Sequence, residues 1–393
     1  MQKNVLFAQS GGPTSVINAS CYGIIKEAKK YGRRIYAARF GVEGILKDNL
    51  IEVGDISDSS LETLRFSPSS AFGSCRHKLK EEEFDAAFRT FEKYGIGYFF
   101  YIGGNDSMDT AHKLAGYARE KGYDIKIIGI PKTIDNDLVN THFCPGYGSA
   151  AKFIAASIRE MALDSDVYDK NIITIVEVMG RDSGFLAAAG ALARNEVVDS
   201  PHLIYLPEVP FEESEFLRQV EKACRKKGKV FIVVSEGIKD SGGKYAYLRE
   251  NSTDAFNNAQ MGGVGKYLEH LVKNNIEKRV KSIELNILQR CAAHMASAAD
   301  NEAAVMVGRD GVKYAMEGRT GVMVSIVRCD SGFVTSTVPL QDVAGKIKTF
   351  PREWIDTENQ WVTPEAIEYM LPLIQGEVKV PFEKGLPKYI RFI

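Results

Sequence analysis

The stretch Pro131-Lys132-Thr133-Ile134-Asp135-Asn136-Asp137 gathers a cation, a hydroxyl and two carboxylates in one short run. Lys132 is a compact point charge of the kind that meets a phosphate oxygen. Asp135 and Asp137 stand two positions apart, so an extended loop turns them to opposite sides. One can then serve as a base while the other positions a group or binds a cation. An Asx-rich turn is the plain alternative. The run follows directly on the apolar residues 125–130, and that coincidence favours chemistry over a simple turn. An EF-hand is excluded, because no Gly and bidentate Glu follow at the required spacing.

Other candidate residues recur in the same setting. QSGGPTSVINAS (residues 9–20) places Gly11 and Gly12 before a helical pattern. Such a turn lets the backbone approach an anion at a helix N-terminus. It lacks the lysine of a GxxxxGK[ST] loop and the spacing of GxGxxG, and a tight turn is an equal reading. IGGNDSMD (residues 102–109) repeats the passage with Gly103, Gly104, Asn105 and Asp106. A carboxylate there repels a phosphate, and taken alone Asp106 or Ser107 reads best as a helix N-cap. In EVMGRDSG (residues 177–184), Met179 and Gly180 can press against a sugar while Arg181 meets a phosphate. Glu236 in VVSEG (residues 233–237) can accept sugar hydroxyls. LQR (residues 288–290) and FGSCRHK (residues 72–78) supply Arg290 and Arg76; for each arginine a solvated surface position is the commoner case. There is no GxSxG and no local triad around the six His. What remains is carboxylates and cations, which suits phosphoryl transfer, a reaction governed by positioning and charge neutralisation.

The elements that must carry these residues follow from the hydrophobic pattern. Short apolar runs at residues 5–8, 35–38, 96–102, 125–130, 172–178, 203–206 and 230–234 read as strands. Helical patterns intervene at residues 15–30 and after Met108, where Met108, Ala111, Ala115 and Ala118 share one face. β-Branched runs separated by helices predict an α/β fold with mainly parallel sheets in two intimately joined Rossmann-like lobes. In such sheets ligands bind beyond the carboxyl ends of the strands. Gly11-Gly12, Gly103-Gly104, PKTIDND, MGRDSG and Ser235-Glu236 all follow directly on an apolar run.

With 393 residues, 45% apolar and 26% charged, the composition is ordinary for a globular protein of two lobes. Lys plus Arg (50) balance Asp plus Glu (51), which argues against a nucleic-acid or membrane partner. The six cysteines form no CxxC pair and read as reduced thiols. The N-terminal apolar run is too short for a signal peptide and no run reaches transmembrane length, so the expectation is a soluble, cytoplasmic protein.

In this order, SGG (residues 10–12), GGNDS (103–107), PKTIDND (131–137), EVMGR (177–181), SEG (235–237) and LQR (288–290) resemble the phosphofructokinase family over essentially the whole chain. Asp106 and Lys132 stand where ATP-using members carry glycines, so the resemblance is to the pyrophosphate-using branch. Residues 371–392 also look like a pyrophosphate-dependent subgroup. The resemblance implies reversible, Mg²⁺-dependent transfer from pyrophosphate to the 1-hydroxyl of fructose 6-phosphate. Gly12, Gly104, Lys132 and Asp106 would bind the donor, with Asp106 excluding the nucleotide's α-phosphate and Lys132 neutralising charge. Asp135 would be the base and Arg76 would bridge donor and acceptor. Thr133, Asp135, Met179, Gly180, Arg181 and Glu236 would hold the sugar phosphate, and Arg290 its 6-phosphate.

Three departures accompany the resemblance. Ile287 occupies a sugar-contact position where relatives carry Tyr or His. Asn105 stands where the family's metal-binding Asp is usual, leaving Asp137 as the other expected Mg²⁺ ligand. Ile172 replaces a basic residue supplied across a subunit interface. The resemblance further implies a donor lobe (residues 1–140 and about 302–350), a sugar-phosphate lobe (141–301 and about 351–393) and a homo-oligomer, dimer or tetramer. The alternatives are an ATP-dependent enzyme of the same fold, or a non-catalytic sugar-phosphate sensor. Asp135, Lys132 and Arg181 argue against the sensor, since binding alone needs no base.

Overall fold

The computed structural model describes residues 3–393 except 168, 248–262 and 331. Its principal strands are β1 (Asn4–Gln9), β2 (Ile35–Ala38), β3 (Leu50–Glu52), β4 (Ile96–Gly103), β5 (Lys126–Pro131), β6 (Ile172–Val178), β7 (Leu203–Tyr205), β8 (Lys229–Ser235), β9 (Val280–Glu284), β10 (Val322–Cys329) and β11 (Gly332–Pro339). The chain forms two compact units. One comprises Met1–Ser149, Arg290–Ile347 and Gly376–Ile393; the other comprises Ala150–Gln289 and Lys348–Gln375.

In the first unit the strand order is β11-β10-β5-β4-β1-β2-β3. The five central strands are parallel, while β3 and β11 pair antiparallel at the two edges. The centre is apolar on both faces: Val5, Leu6, Phe7 and Ala8 of β1 are all fully buried. A parallel strand covered by helices on each side requires such a run. At the edge, β11 (GFVTSTVP) is exposed or half-buried throughout, which hid it from a search for apolar runs. In register, Gln9 pairs with Ile102 and Gly103 with Pro131, so the carboxyl ends of β1, β4 and β5 finish side by side. The chain leaves β1 for β2 on one side and later returns to β4 on the other. That makes the end of β1 a topological switch point.

The second unit holds a four-stranded parallel sheet in the order β7-β8-β6-β9. Ile173, Ile175, Val230, Ile232 and Val234 pack there with Leu268 and Val272 of the helix Val264–Asn275. Val178 pairs with Ser235, so the turns after β6 and β8 leave the sheet together.

The unit boundaries differ from the sequence expectation. Residues 141–149, 290–301 and 376–393 lie with the first unit, and 348–350 with the second. The reason is a set of hydrogen bonds between distant segments. Asp300 accepts from Gly146 N–H (2.9 Å) and Ser149 N–H (2.9 Å). The main chain at Phe392 donates to Ala71 C=O (2.8 Å). Among the described residues, no helix is long and apolar enough to cross a membrane.

Candidate active site

The first unit brings most of the expected donor-side residues together at the ends of β1, β4 and β5. Gly11 adopts φ +74°, a left-handed conformation that favours glycine, and donates its N–H to Cys75 C=O (3.0 Å). A Cβ at Gly11 would lie 3.4 Å from Lys132 Nζ. A Cβ at Gly12 would lie 2.7 Å from Arg290 Nη1 and 3.9 Å from Arg76 Nη2. Three cations thus converge on this turn. Lys132 is 3% exposed; its Nζ donates to Gly12 C=O (2.7 Å) and its N–H to Gly103 C=O (3.0 Å). Burial drives the ammonium down to about 8; Asp137 and Asp135 oppose that fall, while Arg290 and Arg76 add to it.

The loop after β5 is not extended. Asn136 has φ +58° and is fully buried, its Oδ1 accepting Cys144 N–H (2.9 Å). The strand alternation expected for Asp135 and Asp137 therefore does not hold, and both carboxylates act on Lys132. Thr133 Oγ1 accepts Asp135 N–H (3.1 Å), so this hydroxyl shapes the turn that carries the expected base.

The capping reading of GGNDS is also corrected. Gly104 is the N-cap of the helix Asn105–Lys121, and no side chain caps it. Asp106 sits inside the first turn, where a carboxylate complements the helix dipole. Its side chain is 48% exposed and lies 3.4 Å from Lys78 Nζ. Ser107 is buried against Gly103: a Cβ on Gly103 would come within 1.9 Å of Ser107 Oγ. Asn105 Nδ2 donates to Asp137 Oδ2 (2.9 Å). Asn105 Oδ1 is buried with no hydrogen-bond partner among the described residues.

In the second unit, the turns after β6 and β8 bring Met179, Gly180, Arg181 and Glu236 together. Gly180 has φ +119°, and Ser235 Oγ donates to its C=O (2.6 Å). Gly237 N–H donates to the same hydroxyl (3.1 Å), and a Cβ at Gly237 would lie 1.9 Å from Arg181 O. Met179 N–H donates to Oε1 of the buried Gln289 (3.2 Å). Arg181 Nε is buried with no hydrogen-bond partner among the described residues. Ile287 is 54% exposed in the 3₁₀ turn Asn286–Arg290.

Several supporting residues escaped the sequence reading. Ser74 Oγ donates to Gly11 C=O (2.7 Å), and Lys78 pairs with Asp106; both lie inside the heptapeptide singled out only for Arg76. Ser235 and Gln289 likewise sit within quoted motifs, but nothing in their spacing marks a hydroxyl or an amide as a brace. Asp300 carried no local signal, because its partners are some 150 positions away in sequence.

Comparison with known proteins accords with this arrangement. The family model described as phosphofructokinase matches residues 4–315. The chain is 40% identical to the pyrophosphate–fructose 6-phosphate 1-phosphotransferase of Methylococcus capsulatus, the alignment covering 99% of this chain and 95% of that one. It is 41% identical to the protein of that name from Xanthomonas campestris pv. campestris, covering 98% and 95%. The crystal structure of pyrophosphate-dependent phosphofructokinase from Nitrosospira multiformis superposes with a TM-score of 0.91 at 38% identity, covering 100% of this chain and 96% of that chain. Glycine turns at parallel strand ends, cations gathered on them and matches spanning nearly the whole length lead to one assignment: the chain belongs to the phosphofructokinase family.

Proposed function

We propose that the chain transfers a phosphoryl group from pyrophosphate to the 1-hydroxyl of fructose 6-phosphate, giving fructose 1,6-bisphosphate and phosphate. The observation that carries this reading is the buried Lys132 beside Gly12, with Arg290 and Arg76 at the same turn and Asp106 on the adjoining helix turn. Clustered cations suit a small, highly charged donor. A fixed carboxylate in the first helical turn opposes a longer polyphosphate. We assign the donor to the first unit and the sugar-phosphate contacts of Met179, Gly180, Arg181 and Glu236 to the second. Arg181 Nε, without a partner among the described residues, suits an anionic oxygen.

In the reaction Asp135 takes the proton of the attacking hydroxyl. Thr133 holds the turn that presents it. Lys132 and Arg76 neutralise charge on the transferring and leaving phosphates, and Arg290 is assigned to the 6-phosphate of the sugar. The residues fit Mg²⁺. Asn105 Oδ1 is a buried oxygen with no partner among the described residues, and the Nδ2 of the same amide donates to Asp137 Oδ2. No group of three or more His, Cys, Asp or Glu forms a metal cage among the described residues. Mg²⁺ commonly takes one or two protein oxygens and completes its shell with water and substrate phosphates. Asp137 and Asn105 would hold it, and when bound it would neutralise phosphate charge.

The same reading makes the protein a cytoplasmic enzyme, in keeping with its free thiols, and a homo-oligomer. A coupled assay for fructose 1,6-bisphosphate with pyrophosphate, ATP or no donor tests the central claim. Product with pyrophosphate alone is the expected result, and equal or better turnover with ATP overturns it.

A further inference from the structure

The last residues of the chain lie on the loop that carries Arg76. Ile390 N–H donates to Ser67 Oγ (3.0 Å) and Phe392 N–H to Ala71 C=O (2.8 Å). Phe392 C=O accepts from Arg39 Nε (3.0 Å). The Phe392 ring stacks on Phe72, with centroids 4.9 Å apart and planes 7° apart. Two backbone donors, one acceptor and an aromatic ring of residues 390–392 are thus engaged.

The loop's other contacts explain what this engagement does. Ala71 N–H donates to Asn18 Oδ1 (3.0 Å) and Phe72 N–H to Gln9 Oε1 (3.1 Å). Gln9 Nε2 in turn donates to Asn18 Oδ1 (2.8 Å), and both amides are fully buried. Phe72 also meets Phe7 of β1 edge to face, at 5.1 Å. The backbone of residues 67–72 is therefore clamped between a buried amide pair on one side and the C-terminal segment on the other. Directly beyond, Ser74 Oγ and Cys75 C=O bond the Gly11 backbone, and the next residue is Arg76, whose guanidinium reaches the Gly12 turn.

We propose that residues 390–392 form a positioning strap for Arg76, with Phe392 as its anchor. The strap touches no reacting group. It restricts the loop at Phe72, and the short, doubly bonded span from Phe72 to Arg76 carries that restriction to the guanidinium. A displacement of about 1 Å at a positioned group can cost on the order of 10²-fold in rate. A loosened strap thus lowers turnover without disturbing the sheet.

The inference rests on the proposed role of Arg76 in phosphoryl transfer, and the test separates the two. The full-length protein is compared with Phe392→Ala, Phe392→Tyr, Arg76→Ala and the double variant Arg76→Ala/Phe392→Ala. Steady-state kinetics use pyrophosphate and fructose 6-phosphate, with thermal unfolding of each protein. Phe392→Ala is expected to lower kcat about 5- to 20-fold, and Phe392→Tyr, which keeps the stacked ring, to restore most of it. In the Arg76→Ala background, Phe392→Ala should produce no further drop. Amide hydrogen exchange of residues 67–76 should be faster in Phe392→Ala than in the wild type. If the two substitutions multiply, the strap acts elsewhere and the inference fails while the role of Arg76 stands. If Arg76→Ala itself keeps wild-type turnover, both fail. A Phe392→Ala protein with a lower melting temperature, an unchanged kcat and unchanged loop exchange would reduce the strap to an ordinary stability contact and overturn the proposal. Should Phe392→Ala not fold, Phe392→Leu retains bulk without stacking and is read by the same criteria.

Discussion

At the residue scale, Lys132 is caught between burial and the anion it is proposed to bind. Burial holds its ammonium down at about 8, below the ordinary lysine value. In free enzyme the charge is lost as pH rises through that region, so kcat/KM for pyrophosphate should decline above about pH 8. A bound phosphate opposes deprotonation, so kcat should hold to higher pH. The same shift has a stability sign. Between about 8 and the ordinary lysine value the unfolded chain binds more protons than the native one, so this group's contribution to stability rises with pH there. A kcat/KM profile flat from pH 7 to 9.5 would contradict the assignment. Asp135→Asn keeps the shape of the loop and removes the proposed base, so turnover should fall by about 10²–10⁴-fold with little change in sugar affinity. Asp106 separates blocking from mere helix support. Asp106→Gly should admit ATP and weaken the use of pyrophosphate. Lys132→Gly should damage pyrophosphate use while ATP stays excluded. Because Gly104 and not Asp106 is the N-cap, the stability cost of Asp106→Gly is a few tenths of a kcal/mol of helix propensity, a dipole contribution of about 0.3–1 kcal/mol and the exposed ion pair with Lys78, worth at most about 1 kcal/mol. The ratio of kcat/KM for the two donors is the measurement, and an unchanged ratio in Asp106→Gly removes the blocking role.

At the element scale, the passage from β4 into the helix Asn105–Lys121 uses its two glycines for different reasons. Gly103 is held free of a side chain by Ser107, whose Oγ would lie 1.9 Å from an added Cβ. Gly104 has φ −93°, and its nearest neighbour to an added Cβ is Lys132 O at 3.7 Å, so the protein itself has room there. Gly103→Ala should therefore cost about 1–3 kcal/mol by overpacking. Gly104→Ala should cost only about 0.5–1 kcal/mol, the difference between Gly and Ala at an N-cap, and raise KM for pyrophosphate as the donor approaches that backbone. Denaturant unfolding of both variants, with donor kinetics, distinguishes packing from ligand access. Equal stability losses would mean that the two glycines serve the same structural purpose.

At the scale of the whole molecule, the first unit is assembled from three separate stretches of chain, and Asp300 joins two of them. It is fully buried and accepts from Gly146 N–H, Ser149 N–H and Ser149 Oγ (2.6 Å). Burial lifts its carboxyl to about 6, against the hydrogen bonds that pull it down. With the native value raised above the unfolded one, the native protein binds the extra proton between about pH 4 and 6. This group's contribution to stability therefore falls as pH rises through that window and is level above it. Asp300→Asn places an amide N–H₂ against existing donors, so it should be less stable throughout and should lose this pH-dependent component. Denaturation free energies of both proteins from pH 4 to 8 test it; parallel curves would show that Asp300 does not titrate as described.

What the sequence determined alone was local. Apolar runs of β-branched residues located the buried parallel strands, because strands covered on both faces must be apolar throughout. Glycines and charged groups directly after those runs located the candidate site, because parallel strands end on one edge. Tertiary structure decided the rest. The edge strand β11 lacks a buried run and is recognisable only by its pairing with β10. The positive φ of Asn136, which breaks the extended alternation between Asp135 and Asp137, goes with a hydrogen bond to Cys144 N–H that no propensity encodes. The convergence of Arg290 on Gly12, the clasp of Asp300 on residues 146–149 and the placing of residues 390–392 against residues 67–72 join positions about 150 or more residues apart. Sequence periodicity extends over one element at a time. Contacts of that separation are set by how the packed strands and helices close around a common core.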